Sequence, residues 1–383
     1  MDFLDRDHKL LRERVRCWVT TNRLRLDQEP DDIEVTARRI VHALGAAGFT
    51  AYVAPKEFGG ARDRVQARDL CVVREELARA SALADTMFAI QALASYPIVL
   101  AGTEAQKARY LSPLASGAAI GALALTEPEA GSDVSALQTR ATKKAHEYSL
   151  TGSKHFISNA GVAQTYVVFA STDPEQKGRG ISAFIVEDGT PGFRVTEKTP
   201  LISPHPIGVL EFDDCRVPES QRVGAEGNGL KIALRALDTL RVTVGAAALG
   251  FAERALDEAV AYSQKRRQFG RALSEFQAIQ LKLADMATAL EASRLLVYRA
   301  AWADDQGEET LPPRASMAKL FATEAAQRIV DQALQIHGGK GLVSGHPVER
   351  LYRDVRALRI YEGTSEIQKL IIAKNLLKRI DDR

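Results

Sequence analysis

Cysteine is nearly absent from this chain: Cys17, Cys71 and Cys215 are the only three in 383 residues, and they stand far apart. An odd count at such separations offers neither a disulfide framework nor a metal-ligand spacing, and it points to a reducing cytosol. Net charge is also missing, at +2 with both signs interspersed, so nothing favours nucleic acid or an anionic membrane as a partner. Long apolar runs are lacking too. The stretch Val242 to Phe251 is too short and too alanine-rich to span a bilayer, so no membrane insertion is expected. No repeat of 20 to 50 residues and no low-complexity tract is present. The first residues, Met1-Asp-Phe-Leu-Asp-Arg-Asp, are charged and carry no apolar core of a signal peptide. Neither a secretory nor an arginine-rich transit signal is visible, and a cytoplasmic, bacterial-type location is expected.

What is present belongs to a soluble globular chain, long enough for two to four domains. Residues 1–120 read as helices, with Phe3, Leu10, Leu11, Val15 and Trp18 at helical spacing, then Ile33, Ala37, Ile40, Val41 and Leu44. Gly45 and Gly48 close a helix, and Ala54 to Gly60 is a loop. Leu70 to Leu83 returns to helix, and Ala89 to Ala101, with Pro97 inside, is expected to kink or break. Its small residues leave room either for a ligand or for ordinary helix packing. Over 121–230 the period changes to two, in Tyr166 to Ala170, Ile181 to Val186 and Gly208 to Phe212, which predicts a β-barrel or sandwich domain. Over 231–383 long amphipathic segments (Leu230 to Lys265, Ser274 to Asp304, Arg314 to His337, and a last one from Ser365) predict a four-helix bundle. The fold class expected is α+β.

The stretch Arg359 to Leu370 carries the sharpest chemical signal. Ser365 followed by Gln368 reads as a capping box opening a helix, and Gly363 breaks the segment before it. Glu362 then sits on a turn among Ile360, Tyr361 and Gly363. Apolar surroundings there would raise its pKa towards that of a general base; a first-turn acid complementing the helix dipole is the alternative. Leu123 to Asp133 offers Thr126 and Ser132 hydroxyls and a permissive Gly131, able to bond a planar heterocycle or simply to turn. Arg266 and Phe269 offer a bidentate cation and an apolar face, or a solvated basic cluster. Gly338 and Gly339 expose backbone N–H groups suited to phosphate or ribose. Neither this run nor Gly224 to Gly229 has the spacing of a Walker or Rossmann loop. His337 is read as a loop histidine.

Tyr361-Glu-Gly-Thr-Ser-Glu-Ile-Gln368 resembles the catalytic-base motif of the acyl-CoA dehydrogenases, flavoenzymes that desaturate acyl thioesters between Cα and Cβ. The likeness extends over nearly the whole chain in the same order. It includes Thr126-Glu-Pro-Glu-Ala-Gly-Ser-Asp133, Lys154-His-Phe-Ile-Ser-Asn159, Arg266-Arg-Gln-Phe-Gly270 and Gln335-Ile-His-Gly-Gly339. It implies FAD as cofactor, contacted by Leu125, Thr126, Gly131, Ser132, Phe156, Ser158, Thr364 and Glu366. Arg266, Phe269, Gln277, Gln335, Gly338 and Gly339 would reach the FAD of a neighbouring subunit. Substrate contacts implied are Ser132, Asp238, Arg241 and Gly363, with Gln91, Ser95 and Tyr96 at the acyl pocket. Some relatives place the glutamate near Arg241, where this chain has Leu240, which leaves Glu362 as the base offered by the motifs.

The resemblance further implies that Glu362 removes the α-proton while hydride leaves Cβ for flavin N5. It implies a homotetramer built as a dimer of dimers, and an electron-transfer flavoprotein as acceptor. One loop departs from the family pattern. Leu201-Ile-Ser-Pro-His-Pro-Ile207 places His205 about where relatives carry a ligand-contacting serine. The acyl carrier is therefore open between CoA and a carrier protein, with oxygen as an alternative acceptor. A flavin monooxygenase of this fold generally lacks the base, and a non-catalytic assembly factor would not need intact flavin motifs.

Overall fold

A computed structural model describes residues 3–26, 32–308 and 311–381. The helices are α1 (Arg6–Leu26), α2 (Ile33–Ala46), α3 (Ala67–Ala80), α4 (Ala82–Ala101), α5 (Glu104–Ala115), α6 (Gly229–Lys265), α7 (Gln277–Asp305), α8 (Leu311–His337), α9 (Pro347–Val355) and α10 (Ser365–Asp381). The strands are β1 (Gly121–Ala124), β2 (Arg140–Lys144), β3 (Glu147–Ser158), β4 (Thr165–Ser171), β5 (Ile181–Glu187), β6 (Phe193–Lys198), β7 (Ile207–Pro218), β8 (Arg222–Val223), and the short β9 (Arg267–Gln268) and β10 (Arg271–Ala272). Helices thus flank a central run of strands, as the change of period predicted.

The chain forms two compact units. One comprises residues 1–29, 66–85 and 238–383, and the other 30–65 and 86–237. In the first, α8 packs on α7 and α10, and α3 packs on α1 and α7. Helix α3 is buried on every side from Ala67 to Ala78, although it carries Arg74, Glu75 and Glu76. Charges so placed need partners. Glu75 accepts from Arg12 of α1 at 2.9 Å and from Arg294 of α7 at 3.1 Å. Glu76 takes Arg16 at 2.7 Å, and Arg74 forks onto Asp85 through two bonds of 2.8 Å.

In the second unit the sheet runs in the order β6-β7-β3-β2-β4-β5-β8, with β1 added parallel to β4. Strands β4 and β5 are buried almost end to end, which explains their continuous apolar reading. Strand β3 shifts register against β7 between Lys154 and Ile157. This bulge re-aims the side chains at its end.

Two local expectations are corrected. Helix α4 runs through Pro97 without a break; Leu93, Ala94, Tyr96 and Ile98 around it are buried, and that packing outweighs the lost backbone bond. Helix α4 is long and apolar enough to cross a membrane, yet 72% of its apolar window is buried within the protein. His337 is not in a loop. It ends α8, buried, with Nδ1 2.7 Å from the Ala333 carbonyl and its ring stacked on Tyr262 at 4.3 Å. Between α6 and α7, Arg267–Ala272 forms a small antiparallel hairpin.

Candidate active site

Glu362 and Gly363 form a strained corner between Arg359 and α10, both with left-handed backbone at φ 53° and 90°. A glutamate pays for that conformation unless its surroundings impose it. Here side chains from three helices do so. Arg241 of α6 donates Nε to the Glu362 carbonyl at 3.1 Å. Lys319 of α8 donates Nζ to the Gly363 carbonyl at 2.8 Å. Gln368 of α10 donates to both carbonyls, at 3.3 and 2.8 Å. A Cβ on Gly363 would lie 2.6 Å from Gln368 Nε2 and displace that amide, and at φ 90° the backbone favours glycine.

The helix start differs from the capping box expected. Thr364 Oγ1 accepts from the Ile367 N–H at 3.3 Å, while the Ser365 hydroxyl turns aside to donate to Glu324 at 2.6 Å. Ser365 is already helical, so its side chain lies off the axis, and Gln368 is needed at the corner instead. Glu366 is exposed and is held below the usual carboxylate range by its own backbone N–H and the Thr364 hydroxyl.

Glu362 Oε2 is sealed from solvent and has no hydrogen-bond partner within the protein. Burial pushes this carboxyl above its ordinary value, opposed by the Arg74, Arg241 and Lys319 charges. Burial likewise pushes Lys319 down to about 8, against the pull of Glu362. Asp238 accepts from Arg241 at 3.0 Å, and Arg74 adds a bond of 2.9 Å to Thr243. The corner therefore holds a raised-pKa carboxylate with one oxygen unengaged and its backbone pinned, which is what a general base requires.

In the second unit, the residues expected to face a heterocycle converge on the end of β3 and the segment after β1. Lys154, fully buried, donates to the Leu125 carbonyl at 3.1 Å and to Glu127 at 2.7 Å. Glu127 also accepts the backbone N–H groups of Gln138 and Thr139. The Thr126 carbonyl accepts from the His155 N–H at 2.9 Å. Gly131 and Ser132 lie exposed on the intervening turn, and a Cβ on Gly131 would meet nothing within 4 Å. Phe156 has left-handed backbone, φ 55°, and its ring is 60% exposed. An apolar ring presented to solvent on a strained backbone marks a surface shaped for something else. Ser158 and His205 are in contact, Oγ to Nε2 3.0 Å.

The remaining residues fall into three places. Arg266 and Phe269 lie at the hairpin between α6 and α7, where Phe269 is 93% exposed at φ 48°, and Gln277 opens α7. Gln335, Gly338 and Gly339 lie exposed at the end of α8, with open space around both glycines. Gln91, Ser95 and Tyr96 sit on α4. Gln91 does not fit a pocket-lining role: its amide bonds the Leu114 and Ala119 carbonyls and the Gly121 N–H, and the Ser95 hydroxyl donates back to the Gln91 carbonyl. An amide with all its groups engaged to backbone staples the fold.

Sequence reasoning missed Arg74, Lys319, Lys154 and Glu127. A charged residue at an apolar position of a helix or strand was the available signal, since such a residue is rarely buried without a partner. Among the described residues no cluster of metal-ligating side chains occurs.

Three family profiles match the chain: the acyl-CoA dehydrogenase N-terminal domain over residues 5–118, the middle domain over 122–215 and the C-terminal domain over 227–377. An acyl-CoA dehydrogenase of Bacillus subtilis (strain 168) is 44% identical over 342 residues, 88% of this chain and 89% of the relative. The solved butyryl-CoA dehydrogenase from Megasphaera elsdenii superposes with a TM-score of 0.91 at 38% identity, covering 98% of this chain and 100% of the other. The prolyl acyl carrier protein oxidase AnaB does so at 0.90 and 30% identity, covering 97% and 99%. The chain belongs to the acyl-CoA dehydrogenase family. It is an enzyme of oxidoreductase type.

Proposed function

We propose that this chain is an FAD-dependent dehydrogenase that converts an acyl-CoA thioester to its trans-2-enoyl product, with Glu362 as the base. The observation that carries this reading is the sealed, partner-free Oε2 of Glu362 on a corner held from three helices. The α C–H of a thioester is a weak acid, so proton removal needs both a base of raised pKa and a donor at the thioester oxygen. Glu362 supplies the first, and its own backbone N–H is the donor proposed for the second. Arg241 and Lys319 keep that peptide in place while the proton moves.

The residues present fit FAD. The exposed Phe156 ring beside Ser158, the open Gly131 turn, the exposed Phe269 ring next to Arg266, and the bare backbone of Gly338 and Gly339 offer the apolar faces, hydroxyls, cation and N–H groups that a dinucleotide of this kind binds. FAD, when bound, takes the hydride that leaves Cβ. Leu125, Thr126, Ser132 and Thr364 are proposed to orient it, with Glu366 nearby. We further propose a homotetramer as a dimer of dimers, and an electron-transfer flavoprotein as acceptor.

A second reading, an acyl group carried on a protein rather than on CoA, is favoured by one observation. Pro204 and Pro206 bracket His205 where the family pattern has a ligand-contacting serine, and the carrier-protein oxidase AnaB shares the fold. Anaerobic titration with a panel of acyl-CoA thioesters, followed by flavin bleaching, decides between them. Bleaching by one chain-length class supports CoA, and bleaching only by the carrier-bound acyl group supports the alternative. Glu362→Gln is expected to abolish turnover, a loss of at least about 10²–10⁴, while keeping bound flavin. A Gln variant nearly as fast as the parent refutes the proposed base.

A further inference from the structure

The Ser158–His205 contact fixes which way a hydrogen bond points. Ser158 closes β3, and His205 lies in the loop before β7, with Oγ and Nε2 3.0 Å apart. The other ring nitrogen, Nδ1, is 3.3 Å from the Ser203 carbonyl oxygen. A carbonyl only accepts, so Nδ1 carries the proton. Burial lowers His205 from its ordinary value, opposed by that same carbonyl, and no charged side chain takes part. The ring is then neutral near pH 7, and Nε2 offers a bare lone pair. Ser158 must be the donor in the 3.0 Å bond, which leaves its oxygen with lone pairs and no proton for anything in front of it.

The backbone makes this arrangement rigid. His205 stands between Pro204 and Pro206, and a residue before proline is confined to extended conformations, as is Ser203 before Pro204. The Asn159 N–H donates to the Pro206 carbonyl at 2.7 Å, and the Thr199 N–H to the Ile207 carbonyl at 2.9 Å. The first bond ties the end of the loop to the residue that follows Ser158 of β3, and the second closes the loop across its own two ends.

An oxidised isoalloxazine ring presents unprotonated ring nitrogens, which want a donor. The reduced ring has gained an N–H, which wants an acceptor. We propose that His205 is a positioning residue that locks the Ser158 hydroxyl as an acceptor towards the flavin, so that the chain binds the reduced ring more tightly and raises its reduction potential. This rests on the reading that Ser158 faces the ring, and it gives the departing 201–207 loop a role in the redox balance of the enzyme rather than in holding substrate.

The test uses the holoenzyme and three measurements. Nitrogen-15 NMR of His205 should show the tautomer protonated on Nδ1; a ring protonated on Nε2 overturns the proposal without any variant. His205→Leu frees the hydroxyl to donate, and the flavin midpoint should fall by about 30 mV, a tenfold loss of preference for the reduced form in a two-electron couple. Ser158→Ala should also lower the midpoint, and His205→Leu should add nothing in that background. If Ser158→Ala lowers the potential but His205→Leu leaves it within about 10 mV, less than a threefold change, the positioning role is wrong and the flavin reading survives. If neither variant moves it, Ser158 does not face the ring and both fail.

Discussion

Lys319 donates its buried ammonium to the carbonyl oxygen of Gly363 at 2.8 Å, one residue beyond the glutamate proposed as the base. The bond ties α8 to a corner where two successive residues, Glu362 and Gly363, both take left-handed backbone. Its positive charge also opposes the upward push that burial gives Glu362. Position and proton affinity of one carboxyl thus both depend in part on the same amine.

Lys319→Met keeps most of the buried volume and removes both effects. Arg241 and Gln368 still bond the corner, so the fold should survive while kcat falls by about 10- to 100-fold, a loss typical of a misaligned catalytic group. The sign of the pH effect follows from charge. Without the cation the raised pKa of Glu362 rises further, so the acid limb of the kcat/KM profile moves to higher pH. A variant whose limb stays in place while kcat drops would show that Lys319 acts only by holding the backbone.

Gly363→Ala probes the corner itself. Alanine at φ 90° is strained, and its Cβ would stand 2.6 Å from Gln368 Nε2. Displacing that amide loosens two carbonyl bonds at once. A loss of ~1–3 kcal/mol is expected from the backbone conformation alone, readable as a lower urea midpoint at unchanged m, together with a fall in kcat. Full stability in this variant would mean that the corner relaxes freely and is not held.

Much of this was visible in the order of the residues. The change from helical to alternating period at Gly121 and back near Gly229 follows from which faces are buried, and burial leaves its mark on hydrophobic spacing. The Glu362 turn was legible from Gly363, but the cap was placed one residue late, at Ser365 rather than Thr364, because either hydroxyl suits that role locally. Pro97 misled in the same way: its local cost is real, and packing around α4 outweighs it. What stayed hidden was pairing across sequence distance. Lys319 reaches a carbonyl 44 residues away, and Lys154 finds Glu127 across 27. The left-handed backbone of Phe156 and Phe269 carries no glycine to announce it.

The Lys154–Glu127 pair makes its own prediction. Lys154→Met strands a buried carboxylate that two backbone N–H groups only partly compensate, at an expected cost of ~3–5 kcal/mol. The Leu125–Thr139 segment should loosen and release flavin more readily. Burial holds Lys154 down at about 8, opposed by Glu127. An amine with a depressed folded pKa gives stability that is present above its unfolded value, about 10.4, and is lost as pH falls towards 8. The gap between wild type and variant, measured by urea unfolding, should therefore widen in favour of wild type as pH rises through that window. A constant gap would mean that the ammonium is not desolvated.

Arg266→Ala tests the most exposed part of the candidate cofactor surface. Arg266 closes α6 beside Phe269, whose ring is almost wholly exposed on a strained backbone. If the guanidinium pairs with a pyrophosphate, its removal costs ~1.5–3 kcal/mol, the range for hydrogen bonds to charged groups, or roughly 10- to 150-fold in flavin affinity. Stability without flavin should barely change, because the side chain is exposed and surface substitutions usually move it by less than ~0.5 kcal/mol. Flavin content after dialysis and the melting temperature of the flavin-free protein separate the two effects. Unchanged flavin retention in this variant would remove Arg266 from the cofactor surface and leave Phe269 without the neighbour that gives its exposure a purpose.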